Sequence, residues 1–374
     1  MDFTPTEEQQ AARDLAARIF GDLSTHERLT AAGTGTDAEL WKRLCGAGLL
    51  EAVEEIGLLG LVLLLEEQGR TTAQVPFAAT AVCGLLALSA YGTEEQQEAM
   101  GPGLRNGSMV AVGAFSATGP GPVRASAGED SHGSALRGPA LSGTGLPGQV
   151  LSGTVLSGTV PVVPWLRDAT HVVVPDADRA LWIVRTGSAG VAVDPVETTA
   201  PWSAGRLTLS GARGERLGGP GPEAYEQIRG AARIAFAGLQ AGVCAGSVAR
   251  AVAYTSEREQ FGRPLSTKQG VQLRAADAHM DTEAIRVTAY EAAWRYDQAL
   301  PHASHALTAA WWASEAGRRV VHAGQHLHGG VGADVEYPVH RHFLWGRQLD
   351  AYLGSGGQVL EELGDLLMEE GIEA

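Results

Sequence analysis

Two long alanine-rich stretches separated by an abrupt break constrain this chain more than any other feature. Over 233–255 alanine is interspersed with Ile234, Phe236, Leu239, Val243, Val248 and Val252, the spacing of a long helix. Gly262 and Pro264 end that pattern, as a closely spaced glycine and proline should. A second alanine-rich helical pattern then runs over 271–300. Arg258 is therefore expected at a helix C-terminus, with Phe261 on a tight turn between two long helices. The patterning of 223–368 falls into about four helices, roughly 223–257, 267–300, 302–327 and 338–368. With such short connections they predict an antiparallel four-helix bundle over 220–374.

The N-terminal part, residues 1–107, is also helical in pattern. Thr6-Glu-Glu-Gln reads as an N-cap with acidic first-turn residues. Asp37 caps a second helix that stops at glycine, and Gly92-Thr-Glu-Glu starts another. The segment 58–69 is so apolar that it must be buried on most sides. Between the helical parts, over 108–219, helical periodicity vanishes. Short apolar runs such as Thr170-His-Val-Val-Val-Pro and Ala180-Leu-Trp-Ile-Val-Arg alternate with turn residues, which predicts a β domain, barrel or sandwich. Leu-Ser-Gly-Thr recurs at Leu141, Leu151 and Leu156; three tetrapeptides are too short for a solenoid and read as hairpin or loop expansions. The interval 117–147 is rich enough in Gly, Ser and Pro for part of it to be mobile. The fold class is thus α+β, in the order helix, β, helix.

Composition narrows the function classes. A chain of 374 residues supports two or three domains. A formal net charge of −15 argues against nucleic acid and anionic membranes as partners. An anionic nucleotide would need local basic groups, which collect at 206–216 and 341–347. No apolar run is evident that spans a bilayer, and the acidic N-terminus lacks a signal-peptide pattern; the cytoplasm is the expected location. Cys45, Cys83 and Cys244 lie far apart in apolar settings and read as reduced core residues. His322, His326, His328, His340 and His342 cluster in sequence, but no carboxylate or cysteine sits at ligand spacing among them, so no metal site is expected.

On the residues alone, Arg258 capping its helix and Phe261 filling a core remain an open reading. The segment Ser256-Glu-Arg-Glu-Gln-Phe-Gly-Arg-Pro-Leu-Ser-Thr-Lys-Gln269, however, resembles the R-x-x-F-G-x-x-L-x-x-x-Q signature of acyl-CoA dehydrogenases. Further matches are Met1-Asp-Phe with Glu7-Glu-Gln, Leu40-Trp-Lys-Arg-Leu-Cys-Gly-Ala-Gly-Leu-Leu50, Leu65-Glu-Glu-Gln-Gly-Arg70 before Val75-Pro76, and Gln325-His-Leu-His-Gly-Gly-Val-Gly332. The resemblance spans nearly the whole chain. It implies an FAD-dependent desaturation of an acyl-CoA, with Arg258 and Phe261 holding the ADP half of a neighbouring subunit's FAD. By the same resemblance Gly262, Gln269, Gly329 and Gly330 are cofactor contacts. His326 joins them because it, and not Gln325, occupies the family's glutamine position.

The resemblance also exposes what is missing. The reaction needs a base for the α-proton, and the family's Y-E-G-[TS] turn here reads Tyr352-Leu-Gly-Ser355, with Leu353 at the base position. The other known placement, one residue before an arginine, holds Ala232. Neither leucine nor alanine accepts a proton. Asp350 is near the first position, but its offset of three residues points it elsewhere. The family's T-E-P-x-x-G-S-D loop and W-I-[TS]-N strand, which hold the flavin ring and thioester, correspond to Phe115-Ser-Ala-Thr-Gly-Pro-Gly-Pro122 and Val162-Val-Pro-Trp165, without the acid, the Gly-Ser-Asp or an aligned tryptophan. Such a chain resembles the base-lacking subunit of the α2β2 acyl-CoA dehydrogenases of actinobacterial steroid side-chain degradation. It implies a shared FAD and a homologous partner that carries the catalytic glutamate. The alternatives are a self-sufficient homomeric flavoenzyme with an unrecognised base such as Asp350, and a flavin-free scaffold.

Overall fold

In the computed structural model the described residues are 3–115, 123–127 and 154–370. The chain opens on α1 (Glu7–Leu23), and the expected cap is a full capping box: the Gln9 N–H donates to Thr6 Oγ1 (3.2 Å) and the Thr6 N–H to Gln9 Oε1 (3.0 Å). After α2 (His26–Ala32) comes α3 (Ala38–Gly46), where Asp37 Oδ1 accepts from the Leu40 N–H at 3.0 Å. The apolar segment forms α4 (Val53–Thr71), followed by α5 (Phe77–Ala79), a π-helical turn (Thr80–Leu86), α6 (Ala87–Tyr91) and α7 (Glu94–Arg105). Residues 58–65 of α4 are all buried. This helix bends at Gly57 (φ 71°), and its second part starts with two free N–H groups, Leu58 and Leu59. Both donate to the Asp297 carboxylate, at 2.7 and 2.9 Å, so an N-cap comes from 239 residues beyond Leu58.

The strands follow: β1 (Ala111–Gly113), β2 (Arg124–Ala127), β3 (Thr154–Val163), β4 (His171–Pro175), β5 (Leu181–Arg185), β6 (Val191–Pro195), β7 (Gly205–Arg213) and β8 (Glu215–Leu217). They make two open four-stranded sheets, ordered β1-β4-β5-β8 and β2-β3-β7-β6; all pairs are antiparallel except β1 with β4. The first two Leu-Ser-Gly-Thr copies and most of the glycine-rich interval lie outside the described residues, whereas Leu156 sits in β3.

The C-terminal part consists of α8 (Glu223–Glu257), a two-residue hairpin of β9 (Glu259–Gln260) and β10 (Arg263–Pro264), α9 (Gln269–Asp297), α10 (Ala303–His328), α11 (Val339–Leu349) and α12 (Gly356–Glu370). The fourth segment expected from the sequence is two helices. The turn between them passes through Gly354 at φ 119°, which a side chain rarely adopts, and the chain resumes at Gly356. Helix α8 is also long and apolar enough to cross a bilayer, contrary to the sequence reading, because its few charges sit near its ends. It is the central helix of the protein, with 89% of its most apolar window buried.

Helices α4 and α8 cross almost backbone to backbone. A Cβ on Gly242 would lie 2.1 Å from Glu66 O, and one on Gly69 2.2 Å from Leu239 O. One core runs through the whole molecule, from Phe20 in α1 through Val82 and Val174 to Ile234 and Trp345.

On α11, the buried ring of His342 meets the end of α4, with Nε2 3.0 Å from Arg70 O. Burial pushes its pKa down to about 4, so the native state holds it neutral while the unfolded chain protonates below about 6.5. A depressed native pKa means stability that is present above the unfolded value and lost as pH falls toward the native one. Between pH 7 and 4 the wild type is expected to lose about 3 kcal/mol more than His342→Gln. Urea unfolding at the two pH values checks this, and equal losses would show that His342 does not titrate on folding.

Candidate functional site

The hairpin after α8 is the most unusual surface in the molecule. Gln260 pairs with Arg263 in antiparallel register, which leaves a two-residue loop of Phe261 and Gly262. Both have positive φ, 57° and 75°, as the right-handed twist of a tight hairpin demands. Glycine adopts this freely; a phenylalanine pays roughly 1–3 kcal/mol of strain. That strained ring is 93% exposed, with only the Lys268 ammonium near it, 4.9 Å from the ring centroid. Phe261 therefore does not fill this chain's core. Arg258 occupies the C-cap of α8, its N–H on Tyr254 O at 2.8 Å. Its side chain is exposed and, among the described residues, makes no ion pair or hydrogen bond. Gln269, the first residue of α9, is also exposed.

The second motif lies at the end of α10. His326 is exposed in its last turn; Gly329 and Gly330 follow, exposed, with nothing within 4 Å of the Cβ that either lacks. Gly329 has φ 64° and its N–H donates to His326 O, so the backbone turns there with no side chain over it. The two motifs are tied together through His328 by Tyr254, a residue the sequence reading did not single out. Tyr254, one turn before Arg258, stacks on His328 with ring centroids 4.8 Å apart, and Tyr337 lies 5.3 Å from the same His328 ring. The His328 Nδ1–H donates to Gly324 O at 2.7 Å, which fixes the ring just before the glycine turn. Only a histidine–tyrosine pair 74 positions apart hinted at this contact, and spacing alone does not reveal it.

The other half of the site is closed. Ala232 and Leu353 are both buried, and the two base positions converge: Arg233, next to Ala232, donates through Nη2 to Leu353 O at 3.4 Å. Arg233, Phe236, Tyr352, Leu353 and Gly354 line a cavity of about 20 Å³, room for one water. Aromatic rings fill the space around it. Tyr352 packs edge-on against Phe236 (4.6 Å) and Trp202 (6.2 Å), and Trp202 against Trp345 (5.4 Å) and Trp165 (5.8 Å). Trp165 is thus core, stacked on Trp202, while residues 116–122 of the corresponding loop lie outside the described residues. Asp350 does not line this cavity. Its carboxylate pairs with Arg347 Nη1 at 2.6 Å, and burial raises its pKa although Arg347 opposes the rise.

Glu362, on α12, clasps the same helix face: it binds Arg229 Nη1 (2.8 Å) and both terminal nitrogens of Arg233 (2.7 and 2.6 Å). Burial pushes this carboxyl up, but the Arg233 and Arg229 guanidiniums outweigh it and hold it below the usual range. Among the described residues no three His, Cys, Asp or Glu side chains gather as a metal site would require.

Comparison with known proteins matches residues 6–108 to "Acyl-CoA dehydrogenase, N-terminal domain" and residues 224–364 to "Acyl-CoA dehydrogenase, C-terminal domain". The acyl-CoA dehydrogenase FadE27 of Mycobacterium tuberculosis is 33% identical over 99% of both chains. Among solved structures, a variant of the Tcur3481-Tcur3483 steroid ACAD is 38% identical, with a TM-score of 0.86 over 97% of this chain and 98% of the other. The ChsE4-ChsE5 complex from Mycobacterium tuberculosis is 32% identical, with a TM-score of 0.86 over 99% of both chains.

Proposed function

The chain belongs to the acyl-CoA dehydrogenase family, and we propose that within it this subunit holds the ADP end of an FAD whose ring and catalytic base belong to a homologous partner. The family places the chain among oxidoreductases acting on CH–CH bonds and implies FAD as cofactor. Phe261 carries the proposal. A strained aromatic ring left 93% in water, with the Lys268 ammonium over it, is more than its own chain needs, and a binding partner is the physical reason we assign to it. Arg258 beside it is an uncommitted cation suited to a pyrophosphate, and the Gly329–Gly330 backbone offers the close approach a phosphate needs. These residues fit the nucleotide half of FAD; Leu353, Ala232 and the packed Trp165 do not fit the ring half.

When bound, FAD supplies hydride acceptance from the β-carbon. In this reading Arg258, Phe261, Gly262, Gln269, His326, Gly329 and Gly330 bind and orient the cofactor's nucleotide end. No side chain of this chain at 353 or 232 receives the α-proton, so its acceptor is a glutamate of the partner. The small volume, about 20 Å³, left beside Phe236 and Tyr352 at these positions supports that division. The likeness to the Tcur3481-Tcur3483 steroid ACAD supports a steroid-derived acyl-CoA as the ester we assign to the complex. Asp350 as a base, the self-sufficient alternative, is disfavoured by its pairing with Arg347 outside the cavity.

The test is flavin content by visible absorbance, for the chain alone and for the chain purified with its homologous partner. Little flavin alone and about one FAD per pair of chains together is the expected result. One FAD per chain in the isolated protein would overturn the shared site, and no flavin in either preparation would leave a scaffold.

A further inference from the structure

Three arginines among the described residues are less than one-tenth exposed: Arg229, Arg233 and Arg341. The first two share Glu362. Among the described residues Arg341, on α11 and 8% exposed, has no carboxylate within 4.0 Å and one side-chain partner, the Thr30 hydroxyl on α2 at 3.3 Å; its Nε is buried with no acceptor among them. Burial lowers its pKa, with no opposing charge to raise it. A guanidinium taken out of water without an anion is among the least favourable arrangements in a folded protein.

The Thr30 hydroxyl that accepts from it donates in turn to His26 O at 2.8 Å. Thr30 is exposed, so the Arg341–Thr30 contact lies at the surface. The half-buried ring of His26 stands edge-on to His340 with centroids 6.3 Å apart. His26 Nδ1 and Ser24 Oγ are both buried without a partner. His340 donates its Nδ1–H to Tyr337 O at 2.7 Å, so its Nε2 is an acceptor and cannot serve an anion as a donor. The acid that bears on His340, Asp334, accepts the Glu336 N–H at 2.9 Å and is no counter-ion to Arg341.

We propose that this site, where α2 meets α11, binds a phosphoryl oxyanion, with Arg341 as its charged anchor and His26 as a flanking donor. The planar guanidinium fork matches phosphate oxygens. The site is separate from the hairpin and the glycine turn, and it needs neither flavin nor a partner subunit. The phosphoryl group comes either from free phosphate or from a phosphorylated coenzyme.

The full-length chain alone serves for the experiment. Inorganic phosphate is titrated against chloride at constant ionic strength, with the melting temperature and 31P line width as readouts. A saturable rise in melting temperature, with binding at least tenfold weaker in Arg341→Gln and several-fold weaker in His26→Ala, is expected. His26→Ala, at a half-buried ring, keeps the test valid if Arg341→Gln fails to fold. Coenzyme A and its 3′-dephospho form then separate the sources: a preference for the phosphorylated form assigns the coenzyme, and equal, weak binding of both beside firm binding of phosphate assigns the free ion. No saturable effect of phosphate on the wild type, or an unchanged effect in both variants, would overturn the site.

Discussion

Gly242→Ala is expected to destabilise the folded chain by about 3 kcal/mol, at the upper end for overpacking a close contact. The new Cβ would meet Glu66 O at 2.1 Å and Glu66 C at 2.7 Å. These are backbone atoms in the middle of α4, so no rotamer change relieves the clash and the two helices must move apart. Helical propensity runs the other way, since alanine is better than glycine in a helix by roughly 1 kcal/mol. Gly230, in the same helix, isolates that term because nothing lies within 4 Å of its missing Cβ. Gly230→Ala should therefore stabilise by up to about 1 kcal/mol while Gly242→Ala destabilises. Urea unfolding of both variants reads the opposite signs. Equal effects would mean that the α4–α8 crossing is looser than the structure has it.

Arg258→Ala is expected to strip flavin from the assembled complex without weakening the fold. A charge-assisted hydrogen bond to phosphate contributes about 1.5–3 kcal/mol, which corresponds to roughly 10- to 100-fold in affinity. The exposed guanidinium makes no contact of its own among the described residues, so the thermal midpoint of the isolated chain should be unchanged. Phe261→Asn sharpens the distinction. Asparagine accepts the left-handed conformation that Phe261 holds at φ 57°, so the free chain should gain stability while the complex loses cofactor. Retained flavin in both variants, measured by absorbance after dialysis, would show that the hairpin does not touch the nucleotide.

The caps were the most legible part of the sequence. Thr6, Asp37 and Thr93 each act on a donor three residues ahead, and a local rule needs only local letters. The break at Gly262 was legible in the same way, by motif and spacing, and motif spacing also led to Leu353 and Ala232, which the fold brings together through Arg233. The division of 338–368 into two helices was not, because periodicity continues through 350–355 and only the turn at Gly354 interrupts it. Exposure of Phe261 was also invisible: the same residue in a hairpin reads equally well as a core plug. The stack of Tyr254 on His328 and the unpaired state of Arg341 depend on which distant elements meet, and no spacing within one segment encodes that.

Helix α9 behaves as a measuring rod. Its first residue, Gln269, stands beside the hairpin, and its last, Asp297, caps the second half of α4. At 1.5 Å per residue the 29 residues between them span about 43 Å. A single insertion or deletion inside it would swing Asp297 by about 100° around the helix axis and carry its carboxylate away from Leu58 and Leu59. The distance from the exposed hairpin to the N-terminal helices is thereby set by a residue count, and the connection over 298–302 is where a change of length would leave that register untouched.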